Sequence, residues 1–274
     1  MRQHSPAGGS LPFRSAGFLP TTRVQFFKGI LQESDDGAVA EERRSGQRMA
    51  VNTDFPLKTV LSFIGRDEHG ELLGGKRANW NWKGRLVNCS EAGARLQLAP
   101  SVRAVKGDAC DLKLSLEGFD LVVPSRIVNL SETADGVQCG LRHEIVDLGI
   151  EKAYAQFLEI VALGATLQPS FQETRPDGSG YLPEQYASSW QSCLNIWRRQ
   201  ADRAVAAFEF VLKDCLVRAV KDHEMECLTG TTSIEARPAS GYRTWEIKRL
   251  FRWVVPNLSR KVPADVKQFL REYD

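Results

Sequence analysis

The chain has 274 residues, of which 42% are hydrophobic and 26% are charged, values that are ordinary for a soluble globular protein. Its formal net charge is only +2, so the sequence lacks the broad positive field that drives non-specific nucleic-acid binding, and any anion site must come from a local cluster. No apolar run reaches the roughly 20 residues that span a bilayer, and no secretory leader is visible. We therefore expect a cytoplasmic protein with reduced thiols and no membrane span.

Metal sites and catalytic sites are not indicated by the sequence. The six cysteines form no CxxC pair, and the four histidines are scattered along the chain, so no zinc site is predicted. GxSxG, HExxH and Walker patterns are absent from the sequence. The sequence therefore predicts a protein that is not an enzyme and that needs neither a cofactor nor a metal.

The first 40 residues are rich in Gly, Ser and Pro and show no sustained period, which predicts a flexible N-terminal arm. An apolar piece at 24–31 leaves open that part of this arm docks on a neighbouring surface. Residues 41–163 then read as short strands separated by Gly and Asp turns. The predicted strands are 51–64, 83–87, 94–98, 111–116, 120–130 and 137–145. This pattern predicts a six-stranded antiparallel β-barrel, closed by a helix over 147–161 whose apolar residues share one face.

The last third of the chain is predicted to be a linker at 164–182 followed by an α-helical domain at 183–274. Apolar residues recur at alternating spacings of four and three between Trp190 and Cys215, which is typical of a heptad seam about 25 residues long. Two further helices are predicted at 244–255 and 263–273. The seam leaves two interpretations open, an intrachain helical bundle and a homodimer through 190–215. A basic stretch fits an acidic partner or a solvated face: Lys248, Arg249, Arg252, Arg260 and Lys261.

Two short motifs carry the candidate chemistry. An RxxxR pattern runs from Arg44 to Arg48 just before the first strand, and an NxSxxG pattern runs from Asn88 to Gly93 between the second and third strands. Each motif alone is weak, since a second RxxxR occurs at 199–203 without a partner motif. Their order, their spacing of about 40 residues and their strand context are more specific. In these respects residues 41–163 resemble a PilZ domain, whereas the C-terminal third shows no family resemblance.

The resemblance implies a receptor for the bacterial second messenger cyclic di-GMP. It implies ligand contacts from four side chains: Arg44, Arg48, Asn88 and Ser90. Guanidinium groups suit such a ligand because they make paired, charge-assisted hydrogen bonds to phosphate and to the N7 and O6 edge of guanine. Gly93 is expected to allow either a positive φ or a close approach of the ligand to the backbone. Arg43, in front of the motif, can stack on a second guanine, so one or two ligand molecules remain open.

Several interpretations stay open at this point. His143 either approaches a guanine or is a surface histidine, and Trp80 and Trp82 either stack on a base or pack across strands. The working hypothesis is that the segment around RxxxR folds over the barrel when ligand binds and changes a surface for an unidentified protein partner. The alternative is an adaptor that acts only through protein contacts, and DNA binding by the C-terminal helices is disfavoured by the near-neutral charge.

Overall fold

The computed structural model describes residues 47–64, 79–170 and 180–273, except for the side chains of residues 64, 79 and 80. Its first part contains seven strands and a helix: β1 (Met49–Ala50), β2 (Lys58–Ile64), β3 (Asn79–Ser90), β4 (Gly93–Leu98), β5 (Ala109–Leu116), β6 (Phe119–Thr133), β7 (Gly136–His143) and α1 (Leu148–Ala165). The antiparallel order β3-β2-β5-β6-β7-β4 returns to β3, so six strands close into a barrel. Strand β1 pairs with β3 from outside. The predicted six-stranded barrel is confirmed.

The barrel forms because its strands alternate apolar and polar residues, which places one face of each strand in a common interior. Strand β5 shows the pattern most clearly, since Leu112, Leu114 and Leu116 are buried and the residues between them are not. The predicted first strand at 51–64 is shorter in the structure and begins only at Lys58. The preceding segment is a turn, in keeping with Asp54 and with Pro56, which has no backbone N–H for a ladder.

Helix α1 begins directly after its capping residue, Asp147. The Asp147 carboxylate accepts hydrogen bonds from the backbone N–H groups of Gly149 and Ile150 at 2.7 and 3.0 Å. The buried side of the helix, which includes Tyr154, Phe157 and Val161, packs against the barrel core. The predicted closing helix is therefore confirmed. Within the described part of the chain, no helix combines the length and the apolar character needed to cross a membrane.

The second part of the chain is built on another antiparallel sheet of seven strands arranged in chain order. The strands are β8 (Gln168–Pro169), β9 (Tyr181–Ala187), β10 (Ser192–Arg199), β11 (Val205–Leu212), β12 (Cys215–Val220), β13 (Glu226–Thr229) and β14 (Arg237–Pro238). Two helices follow, α2 (Tyr242–Val254) and α3 (Ala264–Arg271), with a 3-10 turn at Val255–Asn257. Phe251 of α2 stacks on Phe208 of β11 and Phe269 of α3 meets the same ring edge-on, so both helices cover one face of this sheet. We call residues 168–273, where described, the C-terminal unit.

The predicted heptad helix at 190–215 is wrong, and with it the purely helical domain at 183–274. This segment forms β10 and β11, joined by a turn in which Arg203 has a φ of 60°. All eight residues of β11 are buried, so the strand lacks the alternation that identifies a strand exposed on one face, and its apolar run fits a helical spacing by chance. The seam therefore supports neither a helical bundle nor a homodimer. The helices predicted at 244–255 and 263–273 are confirmed as α2 and α3, and β8 occupies part of the predicted linker.

The C-terminal unit is joined to the barrel by a cluster of hydrogen bonds around a buried amide. The Asn257 side chain accepts from the backbone N–H of Asn52 at 2.9 Å and donates to the Val161 carbonyl of α1 at 3.1 Å. The Asn52 side chain in turn donates to the carbonyls of Pro256 and Leu258 at 3.2 and 2.9 Å. Asn257 is buried and Asn52 is half-buried, so leaving their polar groups unpaired is costly. We call this cluster the Asn52–Asn257 clamp.

Candidate ligand-binding surface

The two motifs meet because β1 pairs with the end of β3. In this ladder Met49 lies opposite Cys89 and Ala50 lies opposite Asn88. The chain just before β1 is thereby held beside the NxSxxG motif, and the Arg48 guanidinium donates a hydrogen bond to the Asn88 side-chain oxygen at 3.2 Å. Arg48 is exposed and Asn88 is half-buried, so both are accessible at the barrel surface. Arg43 and Arg44, the other predicted arginines, lie outside the described residues.

The NxSxxG motif forms the tight hairpin between β3 and β4. Ser90 lies opposite Gly93, with Glu91 and Ala92 at the tip of the turn. The Ser90 side chain is only 3% exposed in this structure, and its hydroxyl donates to the Gly93 carbonyl at 3.3 Å. Ser90, predicted to contact the ligand, therefore closes the hairpin in this structure and does not face solvent.

Gly93 is required for a reason that the sequence did not reveal. Its φ is not in the left-handed region, and what approaches it is a neighbouring strand. A Cβ at this position would lie 2.1 Å from the Leu141 carbonyl oxygen of β7, a separation that real Cβ atoms essentially never show. The expected positive φ is therefore wrong, and the close packing of β4 on β7 is itself a reason for this glycine, whereas the close approach of a ligand stays a prediction. In the barrel, Gly93 lets these two strands pair beside the motif.

The outer surface around the hairpin can be followed across four strands. One cross-strand row is Ala50, Asn88, Arg95 and Gly140, and the next is Ser90, Gly93, Arg142 and Arg126. The row of Met49, Cys89, Ala94 and Leu141 between them is buried in the core, which shows that the first row faces outward. Sequence reasoning missed Arg95 and Arg142, although strand alternation starting from the motif would have placed Arg95 on the same face as Asn88.

This surface has small residues at its centre, which we call its floor, and arginine side chains around them. Ala50 and Gly140 contribute no long side chains, whereas the exposed arginines 48, 95 and 142 stand around them. We call it the arginine platform, defined by Arg48, Asn88, Arg95 and Arg142 above this floor. Such a surface suits a flat, anionic ligand, since aromatic rings can lie on small residues while guanidinium groups bind phosphate.

Glu144, an acidic residue at the edge of the platform, determines which of the nearby arginines can still bind an anion. Glu144 accepts two hydrogen bonds from Arg126, at 2.7 and 3.0 Å, and is 3.5 Å from Arg142. The Arg126 hydrogen bond holds the pKa of the Glu144 carboxyl below its usual value. Glu144 therefore neutralises Arg126 chiefly, while the Arg142 side chain stays 62% exposed with one long contact. Arg142, together with Arg48 and Arg95, thus keeps N–H donors for an anion.

A chain of polar side chains runs beneath the platform. The Tyr154 hydroxyl donates to the Ser90 carbonyl at 3.0 Å and lies 2.8 Å from His143 Nε2. On the other side of the ring, His143 Nδ1 lies 2.8 Å from the Ser125 hydroxyl. Burial lowers the pKa of His143 to about 4, so the ring is neutral near pH 7. His143 is half-buried and both ring nitrogens bond inside the protein, so the interpretation as a solvated surface histidine is wrong, whereas the guanine contact stays a prediction.

Trp80 and Trp82 are the tryptophans predicted either to stack on a base or to pack across strands. Trp82 packs against the barrel core, in agreement with the packing interpretation, and the Trp80 side chain is not among those described. In the described ranges no group of three or more His, Cys, Asp or Glu side chains is placed to hold a metal ion.

Comparison with known proteins identifies the barrel. Residues 42–159 match the family model of the PilZ domain, so the resemblance predicted from the two motifs is confirmed for this part of the chain. Among solved structures, the chain is similar to the PilZ domain of CeSA from a cellulose-synthesizing bacterium, with 14% identity and a TM-score of 0.29 over 40% of this chain and 93% of that one. It is also similar to the PilZ domain of YcgR from Escherichia coli with c-di-GMP, with 12% identity and a TM-score of 0.30 over 42% and 88% of the two chains. A third is the K. pneumonia MrkH–c-di-GMP complex, with 17% identity and a TM-score of 0.28 over 43% and 51%. No curated protein matched the sequence.

Proposed function

We propose that the PilZ domain at residues 42–159 makes this protein a receptor for cyclic di-GMP, which binds on the arginine platform. The proposal assigns a binding function and no catalytic step. In it, the ligand joins the RxxxR segment to the NxSxxG hairpin, so that binding changes a surface read by a protein partner.

The observation that carries the proposal is the contact between Arg48 and Asn88 at 3.2 Å, since it unites one residue from each motif on an accessible surface. Arg48 already uses one N–H on Asn88, and a guanidinium has five, so donors remain for a phosphate or for a guanine edge. Asn88 offers an amide to a base edge. The ligand's two phosphates also require more than one cation, and Arg44 in front of β1 and Arg95 on β4 are the proposed further contacts.

Replacement of Arg48 by alanine is expected to weaken cyclic di-GMP binding at least tenfold. A hydrogen bond to a charged group contributes roughly 1.5–3 kcal/mol, and each 1.4 kcal/mol corresponds to about tenfold in affinity. Isothermal titration calorimetry on the full chain measures both the affinity and the number of ligands bound. Arg44→Ala is expected to behave in the same way.

Arg103→Ala is the matched control for this experiment. Arg103 is exposed and lies in the loop after β4, at the opposite end of that strand from Gly93. Its replacement removes the same charge from the protein and should leave the affinity unchanged. Equal affinities for wild type, Arg44→Ala and Arg48→Ala would contradict the proposed site. A wild-type chain that ignores cyclic di-GMP would overturn the proposed function itself.

A further inference from the structure

We infer that Tyr154 is a positioning residue that ties the ligand-binding hairpin to α1 and, through α1, to the C-terminal unit. The inference rests on the proposed function and adds to it a route by which occupancy of the platform reaches the second sheet. It assigns Tyr154 no contact with the ligand, because this side chain is only 3% exposed.

The first link joins the hairpin to the helix. The Ser90 carbonyl belongs to the last residue of β3, next to the turn that carries the NxSxxG motif, and it accepts the Tyr154 hydroxyl at 3.0 Å. Both residues are buried, and a buried carbonyl that loses its donor is penalised by its full cost of desolvation. The position of the hairpin on the barrel surface is therefore coupled to the position of α1.

The second link fixes the direction of the Tyr154 hydroxyl. A phenol has one proton, and since Tyr154 gives it to Ser90, its oxygen must accept from His143 Nε2–H. His143, neutral as described above, then accepts at Nδ1 from the Ser125 hydroxyl, whose oxygen lies 2.8 Å from Nδ1 and 3.1 Å from the competing Val123 carbonyl. This order of donors selects a single tautomer of His143, and it anchors the tyrosine between β6, β7 and the hairpin.

The third link lies at the other end of α1, where groups of the C-terminal unit donate hydrogen bonds to backbone carbonyls of the helix. The Ser192 hydroxyl of β10 donates to the Leu163 carbonyl at 2.7 Å, and the Ser259 backbone N–H donates to the Gly164 carbonyl at 2.9 Å. Asn257 binds the Val161 carbonyl, as described above. A Cβ on Gly164 would lie 2.8 Å from the Val254 carbonyl oxygen, so the backbones of α1 and α2 approach each other closely here. Tyr154 and these carbonyls belong to one rigid helix, so displacement of the hairpin is transmitted along it.

The test compares two tyrosines, Tyr154 and Tyr273, whose hydroxyls each donate a hydrogen bond to a backbone carbonyl in a different part of the chain. Tyr154→Phe keeps the ring and removes a hydroxyl that donates to the Ser90 carbonyl and accepts from His143, and it is expected to lower cyclic di-GMP affinity about fivefold. Tyr273→Phe removes a hydroxyl that donates to the Val220 carbonyl at 3.0 Å within the C-terminal unit, and it is expected to leave affinity unchanged. Titration calorimetry well below the melting temperature of each variant separates loss of affinity from loss of stability.

A second readout reports the coupling itself. In the wild type, saturating cyclic di-GMP is expected to slow amide hydrogen exchange in the second half of α1 and in β10, and in Tyr154→Phe this change should be lost at the same occupancy. His143→Gln keeps a side-chain N–H donor toward Tyr154 and should retain most of the affinity, whereas His143→Leu should reproduce the loss. These two variants decide the question if Tyr154→Phe does not fold.

Wild-type affinity and wild-type exchange changes in Tyr154→Phe would overturn the inference while leaving the proposed function intact. An equal loss of affinity in Tyr154→Phe and Tyr273→Phe would also overturn it, because a general loss of stability would then explain both. Absence of cyclic di-GMP binding by the wild type would overturn the inference together with the proposed function.

Discussion

Gly93→Ala is expected to lower the free energy of unfolding by about 3 kcal/mol, at the upper end of the usual cost of overpacking. The new Cβ would lie 2.1 Å from the Leu141 carbonyl oxygen, and the obstructing atom is backbone, so no side chain can rotate away to relieve the overlap. Relief requires β4 and β7 to separate where Gly93 pairs with Arg142. Urea or thermal unfolding of the variant, followed by circular dichroism, measures the effect.

Gly140→Ala is the control for this substitution. Gly140 also lies in the β4–β7 ladder and has no positive φ, but a Cβ there would meet the Asn129 Cβ at 3.3 Å, so a shift of a few tenths of an ångström accommodates it. We expect its cost to be well below that of Gly93→Ala. Similar unfolding free energies for the two variants would show that packing against Leu141 is not why position 93 is glycine.

Stability is expected to fall by about 2 kcal/mol between pH 7 and pH 5 because of His143. The pKa of this ring is lowered from its ordinary 6.5 to about 4 by burial, so between these values the unfolded chain takes up a proton that the folded chain does not. The contribution of His143 to stability is therefore complete above about pH 7 and is lost as the pH falls through 6.5 toward 4. Urea unfolding at a series of pH values measures this slope.

His143→Gln should flatten the slope, because glutamine does not titrate. The pKa of Glu144, next to the histidine, is held below its usual value by Arg126, so this carboxylate stays largely ionised at pH 5 and adds little to the change. His223, the other described histidine, is exposed and is retained in the variant. An unchanged slope in His143→Gln would mean that a different group is responsible for the acid sensitivity.

The barrel and part of its surface could be predicted from sequence because their signals are local. Strands such as β5 alternate clearly, and Asp147 marks the start of α1, so each element could be identified without its neighbours. Arg48 and Asn88 could be assigned to one site only through the resemblance, since the pairing of β1 with β3 that brings them together is not visible in the spacing of the motifs.

The second sheet could not be predicted because burial on both faces removes the alternation on which strand prediction depends. Phe208 and Phe210 of β11 face the helices, and Val211 is covered on the opposite face, so the pattern no longer distinguishes the two sides. The role of His143 was missed for a related reason. Its partners Ser125 and Tyr154 lie 18 and 11 residues away in the chain, and only the folded barrel shows that they meet.

The Asn52–Asn257 clamp has a consequence for where this protein can be divided. Asn52 follows Arg48 by four residues and lies inside the segment that matches the PilZ model, yet its partners belong to the far end of the chain. Trp253 of α2 likewise belongs to the hydrophobic cluster of the barrel. A fragment that stops at residue 159 would leave the polar groups of Asn52 without partners and would cut α1 before Val161. The span that matches the PilZ family is thus smaller than the span whose residues pack together, and an isolated fragment would not behave like the intact chain.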